Sequence, residues 1–132
     1  MTDQLAQALI AVGSRQKSTA KRISDFERSE THGIFTQQQT VSGVYAATVF
    51  DGTIFTDTSG GVVTVNLPTA VNLSGRIYTI TDTGNAAANN VTVNASGLET
   101  INGSASATLS VNNQSIMVQS DGSNWFIIAG YP

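Results

Sequence analysis

The stretch that decides the fold is Ser115-Ile-Met-Val-Gln-Ser-Asp-Gly-Ser-Asn-Trp-Phe-Ile-Ile128. Two apolar runs flank Asp121-Gly122, a dipeptide that tolerates the positive φ angles of a tight type I′ turn. The pattern therefore predicts an antiparallel hairpin. Apolar pairs across such a hairpin stabilise it by a few tenths to about 1 kcal/mol each. The predicted pairs are Val118 with Trp125 and Ile116 with Ile127.

The second strand of this hairpin is apolar on both of its faces. Because side chains alternate across a strand, Trp125 and Ile127 would point one way and Phe126 and Ile128 the other. A strand with two apolar faces needs cover on both sides, and the cover comes either from another part of the chain or from a neighbouring subunit. The residues that we expect in the core or in a subunit interface are Ile116, Val118, Trp125, Phe126, Ile127 and Ile128.

From Gly33 onwards the chain has the composition of a β domain. Thr, Gly, Ser and Asn fill 45 of the positions 33–132, and these residues favour strands and turns. Asp51-Gly52 predicts another hairpin, with Val49 opposite Ile54 and Thr48 opposite Phe55. The candidate strands are 34–41, 44–50, 53–57, 62–67, 76–82, 91–95, 107–111, 114–120 and 124–129. Many short strands predict a mainly β, antiparallel fold of the sandwich, jelly-roll-like or barrel-like type.

Residues 1–32 form a zone of different composition. They carry five of the six basic residues of the chain, whereas residues 33–132 carry five acidic residues and only one basic residue, Arg76. Apolar residues recur at helical spacing in this zone and predict a short helical arm. Its apolar stripe is too narrow to fold alone, so the arm must dock on its own β domain, on copies of itself or on another protein. The candidate docking residues are Leu5, Leu9, Val12, Ile23 and Phe26.

The sequence offers little for catalysis or cofactor binding. The chain has no Cys, which excludes disulfides and thiolate metal sites. Its only His is His32, next to Gly33, and no arrangement of Ser, His and Asp suitable for nucleophilic catalysis is evident. The carboxylates are scattered, no glycine-rich phosphate loop occurs, and no metal-ligand spacing is met. We therefore expect no enzyme activity and no catalytic, cofactor-binding or metal-binding residue.

Two other classes of partner are not expected either. The basic segment 15–28 is interrupted by acidic residues and has no aromatic platform, so we do not expect a nucleic acid partner. The apolar run Leu5–Val12 is too short to span a bilayer, so we expect no membrane partner.

The stretch that ends in Trp125-Phe-Ile-Ile128 resembles the C-terminal hairpin of small bacteriophage virion proteins. Three earlier segments resemble the strands that lead into that hairpin: Tyr78-Thr-Ile-Thr-Asp82, Asn90-Val-Thr-Val-Asn94 and Ile101-Asn-Gly103. The resemblance covers roughly residues 62–130. It extends to tail fibres, spikes, head fibres and capsid decoration proteins. It implies a homotrimer whose N-terminal segment anchors to the particle while the β domain projects outward.

Three functions are compatible with these features. The preferred one is a homotrimeric capsid decoration (cement) protein on the capsid surface, with the major capsid protein as the partner of the N-terminal arm. The alternative is a short tail fibre, needle tip or baseplate component that touches the host surface. A more remote alternative is a glycan-binding or glycan-cleaving module, which requires a pocket with convergent carboxylates or aromatic side chains.

Overall fold

The computed structural model describes residues 36–132, and the predicted helical arm lies outside these residues. Nine strands run through the described part, close to the nine positions predicted from the sequence, and this part contains no helix. The strands are β1 (Gln38–Val41), β2 (Val44–Ala46), β3 (Thr53–Thr56), β4 (Val63–Asn66), β5 (Ile77–Asp82), β6 (Val91–Asn94), β7 (Ser106–Leu109), β8 (Ser115–Ser120) and β9 (Trp125–Tyr131).

The first six strands alternate between two sheets as the chain advances. The first sheet has the order β1-β3-β5-β8-β9, and the second sheet has the order β2-β4-β6-β7. Within each sheet the three early strands are parallel to one another. Two consecutive strands, one in each sheet, thus make one turn of a flattened coil. The first six strands of the described chain complete three such turns. The last three strands then close the coil by antiparallel pairing.

The prediction of a mainly β fold is confirmed, and its two sheets agree with the sandwich-like alternative, but the prediction of an antiparallel fold is wrong. Four of the seven strand pairings are parallel. Antiparallel neighbours arise when the chain folds straight back, whereas a chain that crosses to another layer returns in its original direction. Neither sheet of the described residues closes into a barrel.

A repeated four-residue sequence shows why the coil forms. Val63-Thr-Val-Asn66 and Val91-Thr-Val-Asn94 pair in parallel and in register, so each residue lies beside its own counterpart. The valines are buried, and the Thr and Asn side chains lie on the outer face and are half-buried. Identical alternation in both turns fixes the register, because a slip of one residue would bury Thr and Asn and expose the valines.

The hydrophobic core lies between the inner faces of the two sheets. The first sheet contributes large side chains on β3, β5, β8 and β9, and the second sheet contributes valines and Leu109. Tyr78 and Trp125 pack with ring centroids 5.5 Å apart and planes inclined by 60°, a tilted geometry that aromatic pairs favour. The fully buried members that dominate this core are Ile54, Tyr78, Ile80, Val63, Val65, Val91, Val93, Leu109, Val118 and Trp125.

The hairpin predicted at Asp51-Gly52 does not form, so the pairs of Val49 with Ile54 and Thr48 with Phe55 are wrong. The strand that follows this dipeptide, β3, pairs with β1 and β5 instead. Asp51 is buried, and its carboxylate accepts hydrogen bonds from Tyr45 Oη at 2.7 Å and from the amide of Thr48 at 2.8 Å. The dipeptide therefore stabilises a crossing between sheets.

Two further features of this crossing involve Tyr45 and Gly52. The hydrogen bond to Asp51, together with burial, raises the pKa of Tyr45 to about 12. A Cβ atom at Gly52 would lie only 2.6 Å from the Cβ of Thr36, so the close approach of the chain requires glycine here.

The C-terminal hairpin forms, but its register differs from the predicted one. Val118 lies opposite Ile127 and Ser120 lies opposite Trp125. The predicted register assumed a two-residue loop, whereas four residues make the turn. The carboxylate of Asp121 accepts hydrogen bonds from the amides of Ser123 at 2.8 Å and Asn124 at 2.7 Å, which holds the longer turn closed. A register shift at Met117/Val118 then marks a β-bulge.

Candidate functional site

The six residues predicted for the core or a subunit interface divide between two faces of the first sheet. Ile116, Val118 and Trp125 are buried on the inner face. Ile127 is half-buried and packs against the core. Phe126 is 46% exposed and Ile128 is 48% exposed. The five predicted docking residues, Leu5, Leu9, Val12, Ile23 and Phe26, lie outside the described residues.

The exposed pair belongs to a larger apolar patch at the edge of the first sheet. The register places Ile77, Gln119 and Phe126 in one row across β5, β8 and β9, and it places Met117 beside Ala129 in the next row. Ile77 and Met117 are half-buried, and Tyr131 is exposed. We define the C-terminal apolar face as Ile77, Met117, Phe126, Ile128 and Tyr131.

The C-terminal apolar face has no charged side chain among the outward positions of its strands. The outward neighbours are Thr79, Thr81, Ser115 and Gln119 on β5 and β8. Exposed apolar patches framed by neutral polar side chains are typical of surfaces that contact another protein. Met117 and Ile77 were not predicted for this surface, because only the pairing register places them near Phe126 and the sequence alone does not give that register.

The outer face of the second sheet has a different chemistry. Its outward side chains in the two repeated segments are Thr64, Asn66, Thr92 and Asn94, which align in two rows across β4 and β6. Asn94 Nδ2 donates a hydrogen bond to Asn66 Oδ1 at 3.0 Å. Within the described strands this face is uncharged and mostly polar, and its one strongly exposed large apolar residue is Val44, which lies beside Thr64 and is 75% exposed.

The free edge of the first sheet is partly covered. β9 is the last strand of that sheet. The amide of Trp125 donates to Thr100 O at 2.9 Å, and the amide of Ile127 donates to Asn102 Oδ1 at 2.9 Å. The loop before β7 therefore covers the beginning of this edge. Covered edges limit open-ended pairing with other chains.

The carboxylates of the described residues hold loops in place. Asp82 accepts hydrogen bonds from Thr58 Oγ1 at 2.5 Å and from the amides of Gly84, Ala86 and Asn113 at 2.8–3.2 Å. Burial alone would raise the pKa of Asp82, but these four hydrogen bonds outweigh burial and lower it. Asp82 thus ties together loops that connect the first sheet to the second.

Glu99 has a similar structural role at the opposite end of the strands. Its carboxylate accepts hydrogen bonds from Thr69 Oγ1 at 2.6 Å and from the amide of Ala70 at 2.9 Å. Within residues 36–132, no group of three or more His, Cys, Asp and Glu side chains comes close enough to hold a metal ion.

A polar cleft that the sequence did not predict lies at one end of the coil. It has a volume of about 370 Å³. It lies between the turn that links β1 to β2 and the loop that links β3 to β4. Parallel pairing of β1 with β3 brings these two segments together. We call it the turn cleft; its lining residues are Ser42, Gly43, Asp57, Ser59, Gly60, Gly61 and Val62.

Comparisons with known proteins give no family for this chain. No protein-family model matches it. A search of curated proteins also finds no match. Among residues 36–132, no helix has the length and apolar character needed to cross a membrane.

Proposed function

We propose that the chain is a structural virion protein of a bacteriophage, and specifically a homotrimeric capsid decoration protein. In this proposal the β domain forms the trimer and the N-terminal arm docks on the major capsid protein. Binding across neighbouring capsid subunits stabilises the assembled particle by mass action, because the bound protein favours the assembled state. The proposed location is the capsid surface.

The observation that carries the proposal is the C-terminal apolar face. Phe126 and Ile128 are each about half exposed and have no charged neighbour among the outward positions of β5 and β8. A second copy would remove this apolar area from water at about 25 cal/mol per Å² buried. Cyclic symmetry closes such a contact into a ring, and it also covers the remaining edge of β9.

The hydrogen bonds of three carboxylates also support a structural role. Asp51, Asp82 and Glu99 each accept hydrogen bonds from loop amides or hydroxyls, and all three stabilise connections between strands. The uneven distribution of charge is consistent with a β domain that forms the trimer and an arm that docks on the capsid. The acidic β domain has a single basic residue, whereas the predicted arm carries the other five.

Deletion of residues 2–29 tests the docking part of the proposal. We expect the shortened protein to remain trimeric in solution and to lose its binding to undecorated capsids. Light scattering gives the oligomeric state, and sedimentation with capsids gives the occupancy. Unchanged occupancy would show that the arm is not the anchor, and a monomeric full-length chain would contradict the trimer.

The alternative is a short tail fibre, needle tip or baseplate component. The turn cleft favours this alternative, because a polar cleft is suited to contact with a host surface. Immunogold labelling of intact particles separates the two locations. Signal on the capsid supports the decoration protein, and signal confined to the tail overturns it. A glycan-cleaving enzyme would in addition release sugars from host polysaccharide, which chromatography detects.

A further inference from the structure

The turn cleft is large enough for one small ligand. Its volume of about 370 Å³ lies near the lower end of the range for small-molecule sites, roughly 300–1,000 Å³. Its walls are two chain segments that lie 14 or more residues apart in sequence, Ser42-Gly43 and 57–62. No role in the proposed assembly uses this cleft.

The loop 57–62 is fixed by hydrogen bonds on its buried side. Thr58 is fully buried, and its hydroxyl donates to Asp82 Oδ1 at 2.5 Å. The carbonyl of Thr58 accepts a hydrogen bond from Asn89 Nδ2 at 2.8 Å. The amide of Asp57 donates to Val41 O at 2.8 Å, which fixes the entry of the loop. A loop fixed in this way binds a ligand with little further loss of conformational entropy.

Alternation along this loop directs polar groups into the cleft. Thr58 points inward, so its neighbours Asp57 and Ser59 lie on the exposed side. Asp57 Oδ1 accepts hydrogen bonds from Ser59 Oγ at 2.6 Å and from the Ser59 amide at 3.1 Å. The hydrogen bonds from the Ser59 hydroxyl and amide lower the pKa of Asp57, and an exposed aspartate is ionised at neutral pH. Asp57 Oδ2 has no hydrogen-bond partner within the described residues.

Glycine backbone forms the rest of the wall. At Gly43, Gly60 and Gly61, an added Cβ atom would meet no other heavy atom within 4 Å. The space in front of these three glycines is therefore open. Val62 is 64% exposed and places an apolar surface at the side of the cleft.

We propose that the turn cleft binds one uncharged pyranose ring of a polysaccharide. Vicinal ring hydroxyls donate to the ionised Asp57 carboxylate, and hydrogen bonds to a charged acceptor are the stronger kind. The hydroxyls of Ser42 and Ser59 complement the remaining sugar oxygens, and the apolar side of the ring packs on Val62. Acidic sugars are disfavoured because their carboxylate would lie near that of Asp57.

A bare cation is a poorer fit than a sugar. Ca²⁺ takes 6–8 oxygen ligands, whereas the turn cleft offers one carboxylate and two serine hydroxyls among its side chains.

Nuclear magnetic resonance titration of the full chain tests this proposal. The probes are neutral hexoses and N-acetylhexosamines, with uronic and sialic acids as acidic counterparts. We expect saturable amide shifts confined to Ser42, Gly43 and residues 57–62, with a dissociation constant on the order of 1 mM for a neutral sugar. Saturable shifts outside the turn cleft, no saturable shift with any neutral sugar, or tighter binding of the acidic sugars would overturn it.

Two variants and one matched control complete the experiment. Asp57→Asn is expected to weaken binding at least about tenfold, because it removes the charged acceptor. Gly60→Val is expected to abolish binding by filling the cleft, and its backbone is compatible with a side chain because φ is not positive at Gly60. Asp121→Asn alters a similar exposed carboxylate outside the cleft and should leave binding unchanged. Full binding by folded Gly60→Val would contradict the proposed site.

Discussion

The outer face of the first sheet and the outer face of the second sheet come from strands with the same in-and-out alternation, but their chemistry differs. Among the described residues, Phe126 and Met117 lie on the first, with the half-exposed Ile128 at the β-bulge, whereas the second carries rows of Thr and Asn and a single strongly exposed large apolar residue, Val44. The inner residues of both sheets build one shared core. The two outer faces can therefore differ without changing the fold. An apolar outer face is suited to an interface with another copy, and a polar outer face is suited to water.

The largest effect on stability is expected when the inward one of two neighbouring aromatic residues on β9 is replaced, and the outward one serves as the comparison. Trp125→Ala removes a fully buried side chain that contacts Tyr78. We expect it to lower the free energy of unfolding by about 3–5 kcal/mol. Phe126→Ala should leave the stability of the isolated domain within about 1 kcal/mol, since Phe126 is 46% exposed. Urea denaturation of both variants measures the difference, and equal losses would show that the two faces are not distinct.

Asp82 fixes how the two sheets, and hence their outer faces, are held together. In the native protein, Asp82 Oδ1 accepts one hydrogen bond and Oδ2 accepts three from loop amides. Asp82→Asn replaces one of these two oxygens by an NH₂ group, which cannot accept, so at least one of the four donors loses its partner. We expect a loss of about 2–4 kcal/mol in the free energy of unfolding at neutral pH. Denaturant unfolding with Asp121→Asn as an exposed control measures it. A loss equal to that of the control would assign no special role to Asp82.

The same carboxylate predicts the pH dependence of stability. The pKa of Asp82 is lower in the folded chain than the ordinary aspartate value of 3.8. The folded state therefore binds this proton less well than the unfolded state, and the stabilisation is fully present above about pH 4. It is lost as the pH falls through the folded pKa. Asp82→Asn should flatten the acid side of the stability profile, and an unchanged profile would contradict this assignment.

The C-terminal apolar face predicts a loss of assembly when it is made polar. The double variant Phe126→Ser with Ile128→Ser removes two half-exposed apolar side chains from the proposed interface. We expect association to weaken at least tenfold, equivalent to about 1.4 kcal/mol. Analytical ultracentrifugation over a concentration series measures it. Val44→Ser is the matched control, because Val44 is 75% exposed on the second sheet and lies outside this face. If Val44→Ser weakened association as much as the double variant, the C-terminal apolar face would not be the specific site of assembly.

The positions of the strands were predictable from the sequence, but their partners were not. Alternation of apolar and polar residues identified β8 and β9 and the inward side of Val118 and Trp125. The same alternation occurs in parallel and antiparallel strands, so it gave the wrong pairing for the early strands. The usable signal was the repeat of Val63-Thr-Val-Asn66 at Val91-Thr-Val-Asn94, since self-similarity at a fixed spacing is typical of coiled architectures.

The two Asp-Gly dipeptides show a second limit of sequence reasoning. Asp121 turns the chain into a hairpin, whereas Asp51 stabilises a crossing by accepting a hydrogen bond from Tyr45. The dipeptides are identical, and the difference comes from side chains that tertiary structure brings near. The turn cleft was unpredictable for the same reason, because Ser42 and Asp57 become neighbours only when β1 pairs with β3.

The smallest expected effect concerns the polar face of the second sheet. Asn94 Nδ2 donates to Asn66 Oδ1 at 3.0 Å across two parallel strands, and both side chains are half-buried. Since water competes for such groups, a double-mutant cycle with Asn66→Ala and Asn94→Ala should give a coupling of about 0.5–1.5 kcal/mol. Thermal or urea unfolding of the two single variants and the double variant measures it. Neither variant should change the oligomeric state, because this bond lies on the face that we assign to solvent. Dissociation of the proposed trimer by Asn66→Ala or Asn94→Ala would instead place the subunit interface on the second sheet.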